Sequence, residues 1–186
     1  MEAYWASKGL SRQATRDFFT ERSPHFDFVN LLPSVVIGAD TRLSPARGST
    51  ISELLQGTRA AVMAPALTAQ YNSPFPYVGV PVHVADVARA HIDAVDRNRI
   101  SGNSEFILSS DTPDGVVWDP EVTRIAKQYF AEAVEDERLK LEGTLGHVGF
   151  KLDGMTTEEA FGWKFTSFEE TMKGLIGQYL ELEKGS

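Results

Sequence analysis

The stretch that most constrains this chain is residues 26–34, Phe-Asp-Phe-Val-Asn-Leu-Leu-Pro-Ser. It is mostly apolar, has no helical period and is closed by a proline, the pattern of a strand buried on both faces. Strands of this kind sit in parallel sheets, with helices on both sides and a neighbour on each edge. Here one helical segment precedes the strand, and a long stretch rich in Gly and Pro follows it. The expectation is an α/β fold: a truncated parallel sheet with flanking helices and a site at the strand's carboxyl end. With so little before the strand to pair with it, the chain reads as the second half of a larger sheet.

Composition narrows the function. At 186 residues one domain over 1–186 is the default. There is no Cys, which removes disulfides, a thiolate nucleophile and cysteine-ligated metals. The four His lack the short spacings of a metal site, so no metal is expected. A net charge of −8 argues against a nucleic-acid partner, which asks for concentrated positive charge. No apolar run is long enough for a membrane span and the start lacks a targeting pattern, so a cytoplasmic protein is expected.

Taken in order, residues 4–21 read as a helix with Leu10, Ala14, Phe18 and Phe19 on its apolar side, stopped at Ser23-Pro24. Tyr4 and Lys8, four apart, share one face of it. An ammonium beside a phenol favours the phenolate and brings its pKa down from about 10, which a phenolic proton donor needs near neutrality. After the strand, residues 33–38 are expected to leave the sheet, with Gly38 allowing a turn. Thr50 and Glu53 form a capping box for a short helix at 51–56, closed by Gly57. Residues 58–80, Ala-rich and broken by Pro65, Pro74 and Pro76, suggest a half-buried lid or substrate wall. A helix from 84 to 96 turns Val84, Val87, Ala88, His91, Ala94 and Val95 inward, with His91 as a core imidazole and Asp86 in its first turn. Residues 105–109 are a second strand. Residues 119–186 are mainly helical, with Asp119 as N-cap and Pro120 first in a helix to about 137. Capping boxes at Thr156/Glu159 and Ser167/Glu170 open the last two helices, the first of them ended by Gly162.

Three blocks carry a family resemblance: Tyr4-Trp-Ala-Ser-Lys8, then Asn30-Leu-Leu-Pro33-Ser34 with Val36-Ile37-Gly38, then Val82-His83-Val84-x-Asp86-Val87-Ala88-x-Ala90-His91. In this order they resemble the carboxyl-terminal part of extended short-chain dehydrogenase/reductases, the Rossmann-type branch with dihydroflavonol and cinnamoyl-CoA reductases. The resemblance implies Tyr4 as proton donor to a small carbonyl substrate. It implies Lys8 as the residue that holds the nicotinamide ribose and tunes Tyr4, and Pro33 and Ser34 at the nicotinamide end of NAD(P)H. His83 and Asp86 would brace the site, and residues 39–82 would form the variable substrate segment, with Tyr77 on the pocket wall.

The family's glycine-rich phosphate turn and the strands before the Tyr have no counterpart here. The glycines at 143, 146 and 149 do not follow a strand into a helix and are rejected as a dinucleotide fingerprint. The chain alone is therefore expected to bind no cofactor. Three readings stand: a reductase-like chain that lacks its cofactor half, a shortened non-redox acid/base enzyme working through Tyr4 or His83, and a binding or assembly protein. An unpaired strand edge also calls for a homodimer or a partner subunit. Tyr4, so near the chain start, is expected to have lost its catalytic role, which leaves His83 as the first acid/base candidate.

Overall fold

The computed structural model describes residues 2–185, with the side chain of residue 2 left aside. In chain order the elements are α1 (Glu2–Arg22), β1 (Val29–Pro33), β2 (Val35–Ile37), α2 (Ile51–Leu54), α3 (Thr58–Met63), β3 (Tyr77–Val78) and β4 (Pro81–His83). They continue with α4 (Val84–Asp93), β5 (Ser104–Leu108), α5 (Trp118–Tyr129), α6 (Ala131–Glu135), β6 (His147–Val148), α7 (Met155–Phe161) and α8 (Phe168–Lys184).

Every strand pairing is parallel: β1 with β5, β2 with β4, and β3 with β6. β1 starts three residues later than the sequence suggests, because Ser23 takes a left-handed turn (φ 43) and Phe26 instead stacks against Phe18. Nor is β1 covered on both faces: residues 29–32 are half-buried and Pro33 is exposed. The chain does not leave the sheet after Pro33. It changes neighbours, Ser34 N–H donating to Leu108 O (3.0 Å) and Val35 N–H to Val80 O (2.9 Å). Ser110 N–H completes the junction by donating to Pro81 O (2.9 Å).

The main core is built mostly by helices, with Ile37 of β2 in it and Val35 and Tyr77 packed against it. α8 packs on α5 through Phe168, Met172, Leu175 and Ile176 against Trp118, Val122, Ile125 and Ala126. Residues 61–67, read from sequence as a lid, are instead the centre of this core: Val62, Met63, Ala64 and Ala66 have no exposed surface. Small side chains let this backbone lie directly against α5, so the run of Ala marks close packing. A second, smaller cluster joins Val82, Ala90, Ile100, Leu108, Phe161 and Phe165.

Local signals differ in how they fare. The Ser167/Glu170 cap is present, the Ser167 hydroxyl accepting from Glu170 N–H at 3.2 Å, and Gly162 ends α7 in the left-handed conformation. The Thr50/Glu53 box also forms, with Thr50 N–H donating to the Glu53 carboxylate at 2.7 Å. At α7 the cap is Asp153, whose carboxylate accepts from Met155 and Thr156 N–H, and not Thr156/Glu159. α5 starts at Trp118, one residue before the expected cap, and breaks at Phe130 (ψ 39). The inward face of α4 is Asp86, Val87 and Ala90, followed by half-buried Ala94 at its C-cap; Val84, Ala88 and His91, and Val95 beyond the helix, are exposed. His91 is thus an exposed imidazole whose Nδ1–H donates to Val87 O (2.7 Å), not a core one.

α1 is long, but its predicted apolar side is not buried: Leu10 is 71% and Phe18 45% exposed. What docks it is the half-buried Phe19, its ring 4.4 Å from that of Phe28, together with a polar clamp. Glu105 on β5 accepts from Arg12, from Arg16 and from Asn30 of β1. The Arg12 hydrogen bond, against the opposing cost of burial and with help from Asn30 and Arg16, holds the Glu105 carboxyl down to about 2. The folded value lies below the unfolded one, so the clamp is at full strength above pH 4.5 and is lost as pH falls towards 2. Amide exchange in α1 is expected to accelerate across that window in the wild type and not in Glu105→Gln. Equal pH dependence in both would remove Glu105 from the docking.

Candidate functional site

The exposed helix α1 carries the first candidates. Tyr4 is 59% exposed, and Lys8 Nζ stands 5.2 Å from the centroid of its ring. Ser7, between them, is used up locally, donating to Tyr4 O at 2.7 Å. The two residues share a face as their spacing requires; both are exposed, and neither lines the two cavities described below.

The other candidates are scattered by the fold. Pro33 is exposed at the end of β1. Ser34 is half-buried, and its hydroxyl is sealed from solvent without a hydrogen-bond partner among the described residues. Tyr77 turns toward the main core, its carbonyl accepting from Trp118 Nε1 at 3.2 Å. Asp86 is buried and accepts from Thr166 N–H (2.7 Å) and Thr166 Oγ1 (3.2 Å). That carboxylate fastens the start of α4 to the loop before α8, a bracing role.

His83 is placed differently. It caps α4, its Nδ1 accepting from Ala85 N–H at 3.1 Å. In the neutral imidazole the proton then sits on Nε2. The ring lies so close to Gly38 that a Cβ there would come within 2.9 Å of Nε2, and Gly38 has φ 134. Only glycine fits that position. Together they line a cavity of about 590 Å³ at the carboxyl ends of β2 and β4, with Ile37, Asp40, Arg42 and Arg59. Asp40 is buried and accepts two hydrogen bonds from the Arg42 guanidinium (2.9 and 2.7 Å) and one from Arg59 (3.0 Å). Arg42, and then Arg59, outweigh burial and hold the Asp40 carboxyl well below the usual carboxylate range. With two guanidinium groups against one carboxylate, the cavity has a positive excess in a chain of net charge −8.

A larger cavity, about 670 Å³, lies beside the amino half of β1, lined by residues 25–31 with His91, Val95 and Arg97. It is at the end of the strand where parallel sheets do not hold ligands, so the carboxyl-end cavity is the better chemical site despite its smaller volume. Of the residues expected around a pocket, His83 alone lines it; Pro33, Ser34, Tyr77 and Asp86 do not. Sequence reading missed Asp40, Arg42 and Arg59. The one available signal was an Asp and an Arg two apart just after a turn glycine.

No family profile matches the chain. Ketoreductase CTB6 of Cercospora nicotianae is 32% identical over 187 residues, which cover 98% of this chain and 49% of the relative. The relatives it matches are ketoreductase-like and epimerase/dehydratase-like. The chain spans about half the length of the relatives it matches. Among solved structures, vestitone reductase from alfalfa superposes with TM-score 0.61 at 22% identity, over 98% of this chain and 52% of that one. The yeast methylglyoxal/isovaleraldehyde reductase complexed with NADPH gives TM-score 0.61 at 21% identity, over 96% and 55%. These likenesses show the fold alone, part of a Rossmann-type α/β architecture.

The residues present do not fit a whole dinucleotide. The sequence contains no G-x-G-x-x-G. Within the 143–149 stretch the structure forms only the two-residue strand β6, and the next helix starts at Met155. A pyrophosphate needs backbone N–H groups gathered at a helix start after such a turn. Among the described residues, no group of three or more His, Asp or Glu is arranged to hold a metal, and no helix is long and apolar enough to cross a membrane.

Proposed function

We propose that this chain is the carbonyl-side half of an NAD(P)H-dependent ketone or aldehyde reductase and does not bind the dinucleotide by itself. The observation that carries this reading is the match to a ketoreductase along nearly the whole chain, with the Tyr4-x-x-x-Lys8 pair intact on one helical face. In this role Tyr4 gives its phenolic proton to the carbonyl oxygen, and the Lys8 ammonium favours the resulting phenolate. NAD(P)H, held by the half of the relatives that this chain does not match, would supply the hydride and be oxidised to NAD(P)+. Exposure of Tyr4 and Lys8 supports the corollary that the chain alone is inactive as a reductase.

The test is ketone reduction, followed by NADPH absorbance, by the chain co-expressed with the unmatched half of a ketoreductase relative. Activity that falls about a hundredfold or more in Tyr4→Phe, with unchanged circular dichroism, is the expected result. A Tyr4→Phe variant as active as the wild type would sink the assignment.

One observation favours a second reading, non-redox acid/base chemistry on a small carbonyl compound: the His83 Nε2 proton at the wall of a carboxyl-end cavity. That reading requires turnover by the chain alone, lost in His83→Ala and indifferent to Tyr4→Phe.

A further inference from the structure

The cavity at the carboxyl ends of β2 and β4 holds more basic donors than the chain itself uses. Its lining includes Asp40, Arg42, Arg59 and His83. Arg42 grips Asp40 through Nε and Nη2, the fork with which guanidinium groups hold carboxylates. Arg59 spends only Nη1 on the same carboxylate (3.0 Å). Its Nε–H and Nη2–H, the matching fork, have no hydrogen-bond partner among the described residues, although the side chain is only 22% exposed. Leaving two N–H groups of a mostly buried guanidinium unpaired costs free energy, and an oxyanion on that edge removes the cost. The arrangement is also held in place. Asp40 N–H donates to Gln178 Oε1 (2.8 Å) and Asp40 O accepts from Gln178 Nε2 (2.7 Å), so α8 pins the residue on which both arginines converge. Were the cluster there only to fasten this loop, one arginine would suffice for one carboxylate.

We infer that this cavity binds a small organic carboxylate, seated on the unpaired fork of Arg59. Three observations select that class. Asp40, Arg42 and Arg59 sum to one positive charge, which a monoanion balances and a phosphate dianion exceeds. The remaining walls are largely apolar, Val36 and Ile37 of β2 with Val84, Ala85 and Ala88 of α4, and they suit a hydrocarbon body better than a bare ion. The amino end of α4 borders the cavity through those same residues and adds its positive pole. Asp86, the acid of that turn, is bonded to Thr166 and does not line the cavity. His83 Nε2–H is a further donor on the lining, available to a second polar atom of the ligand. The inference rests on the cavity and on neither functional reading; it names what the site holds, whether or not His83 then moves a proton.

The experiment is titration of the whole isotope-labelled chain at low salt, followed through its amide resonances, with benzoate, neutral benzamide and inorganic phosphate as probes. Benzoate is expected to shift the amides of Gly38, Arg42, Arg59 and Ala85 saturably. Benzamide, which lacks the charge, is expected to bind about tenfold more weakly. Phosphate is expected to bind more weakly than benzoate, because it makes no use of the apolar walls. Arg59→Met keeps the length and removes the fork, and is expected to weaken benzoate about tenfold. Arg42→Gln, at a side chain 84% exposed and so tolerant of change, takes the charge of the site to zero and is expected to weaken benzoate about threefold. It decides the case if Arg59→Met does not fold. Absence of a saturable shift at these amides overturns the inference. So does benzamide or phosphate binding as tightly as benzoate, or a folded arginine variant that binds benzoate like the wild type. Benzoate binding by a chain that turns over no carbonyl compound upholds the site and counts against the His83 chemistry alone.

Discussion

Titrated with NADPH or NADH, the chain by itself is expected to give no saturable heat in the micromolar range. Most of the affinity for such a ligand comes from its pyrophosphate and adenosine, held at a helix start behind a glycine turn after a parallel strand. No G-x-G-x-x-G exists in the sequence, and the glycines at 143, 146 and 149 lead into a two-residue strand. The residues that the resemblance would put at the nicotinamide are poorly disposed for it: Tyr4 and Lys8 face solvent, Pro33 is exposed, and Ser34 hides an unbonded hydroxyl. An exposed ammonium near a ring offers little to such an anionic ligand, because water screens it. A dissociation constant in the low micromolar range by isothermal titration would contradict this and make the chain self-sufficient.

Trp118→Ala is expected to destabilise the chain by about 3–5 kcal/mol, the usual cost of emptying a fully buried large aromatic site. Trp118 has no exposed surface, packs edge-on against Phe168 with centroids 5.5 Å apart, and donates Nε1–H to Tyr77 O. Alanine opens a cavity between α5 and α8 and removes the hydrogen bond that ties β3 to them. Trp118→Phe keeps much of the volume and separates the two losses; it should cost distinctly less. Urea denaturation followed by circular dichroism measures both. A loss below about 1 kcal/mol for the alanine variant would show that stability resides elsewhere, in the smaller cluster around Phe161.

Much of the fold was legible because it is locally encoded. α8 declares itself through a Ser167/Glu170 cap and apolar residues at helical spacing, and the strand at 105–109 through an apolar run between turns. The parallel character of the strand after Pro24 was likewise readable. Legibility stops where a partner surface decides. Leu10, Ala14 and Phe18 have the periodicity of a buried face, but periodicity states only that a face is apolar, not that a surface is present to cover it. On α4 the inward stripe is rotated toward Asp86 because Thr166 takes that carboxylate inside, an event 80 residues away in sequence. The site was less legible still. His83 is at a cavity, but Tyr77 and Asp86 are spent on packing and bracing, and the Asp40–Arg59 pairing joins residues whose approach no spacing rule foretells.

The way β1 runs into β2 has a mechanical side. Residues 29–37 form one extended run that is tied first to β5 and then to β4, with Ser34 at the changeover. Extended backbone rises about 3.3 Å per residue and hardly stretches, so this run is a strut of about 30 Å. One end borders the larger cavity beside His25 and Phe26; the other ends at Ile37 and Gly38, against the His83 ring. A pull or twist applied at the first end therefore has a stiff route to the imidazole, with no loop between to absorb it. Gly38 is where that motion would be spent, since its backbone is the joint between the strut and the wall on which His83 rests.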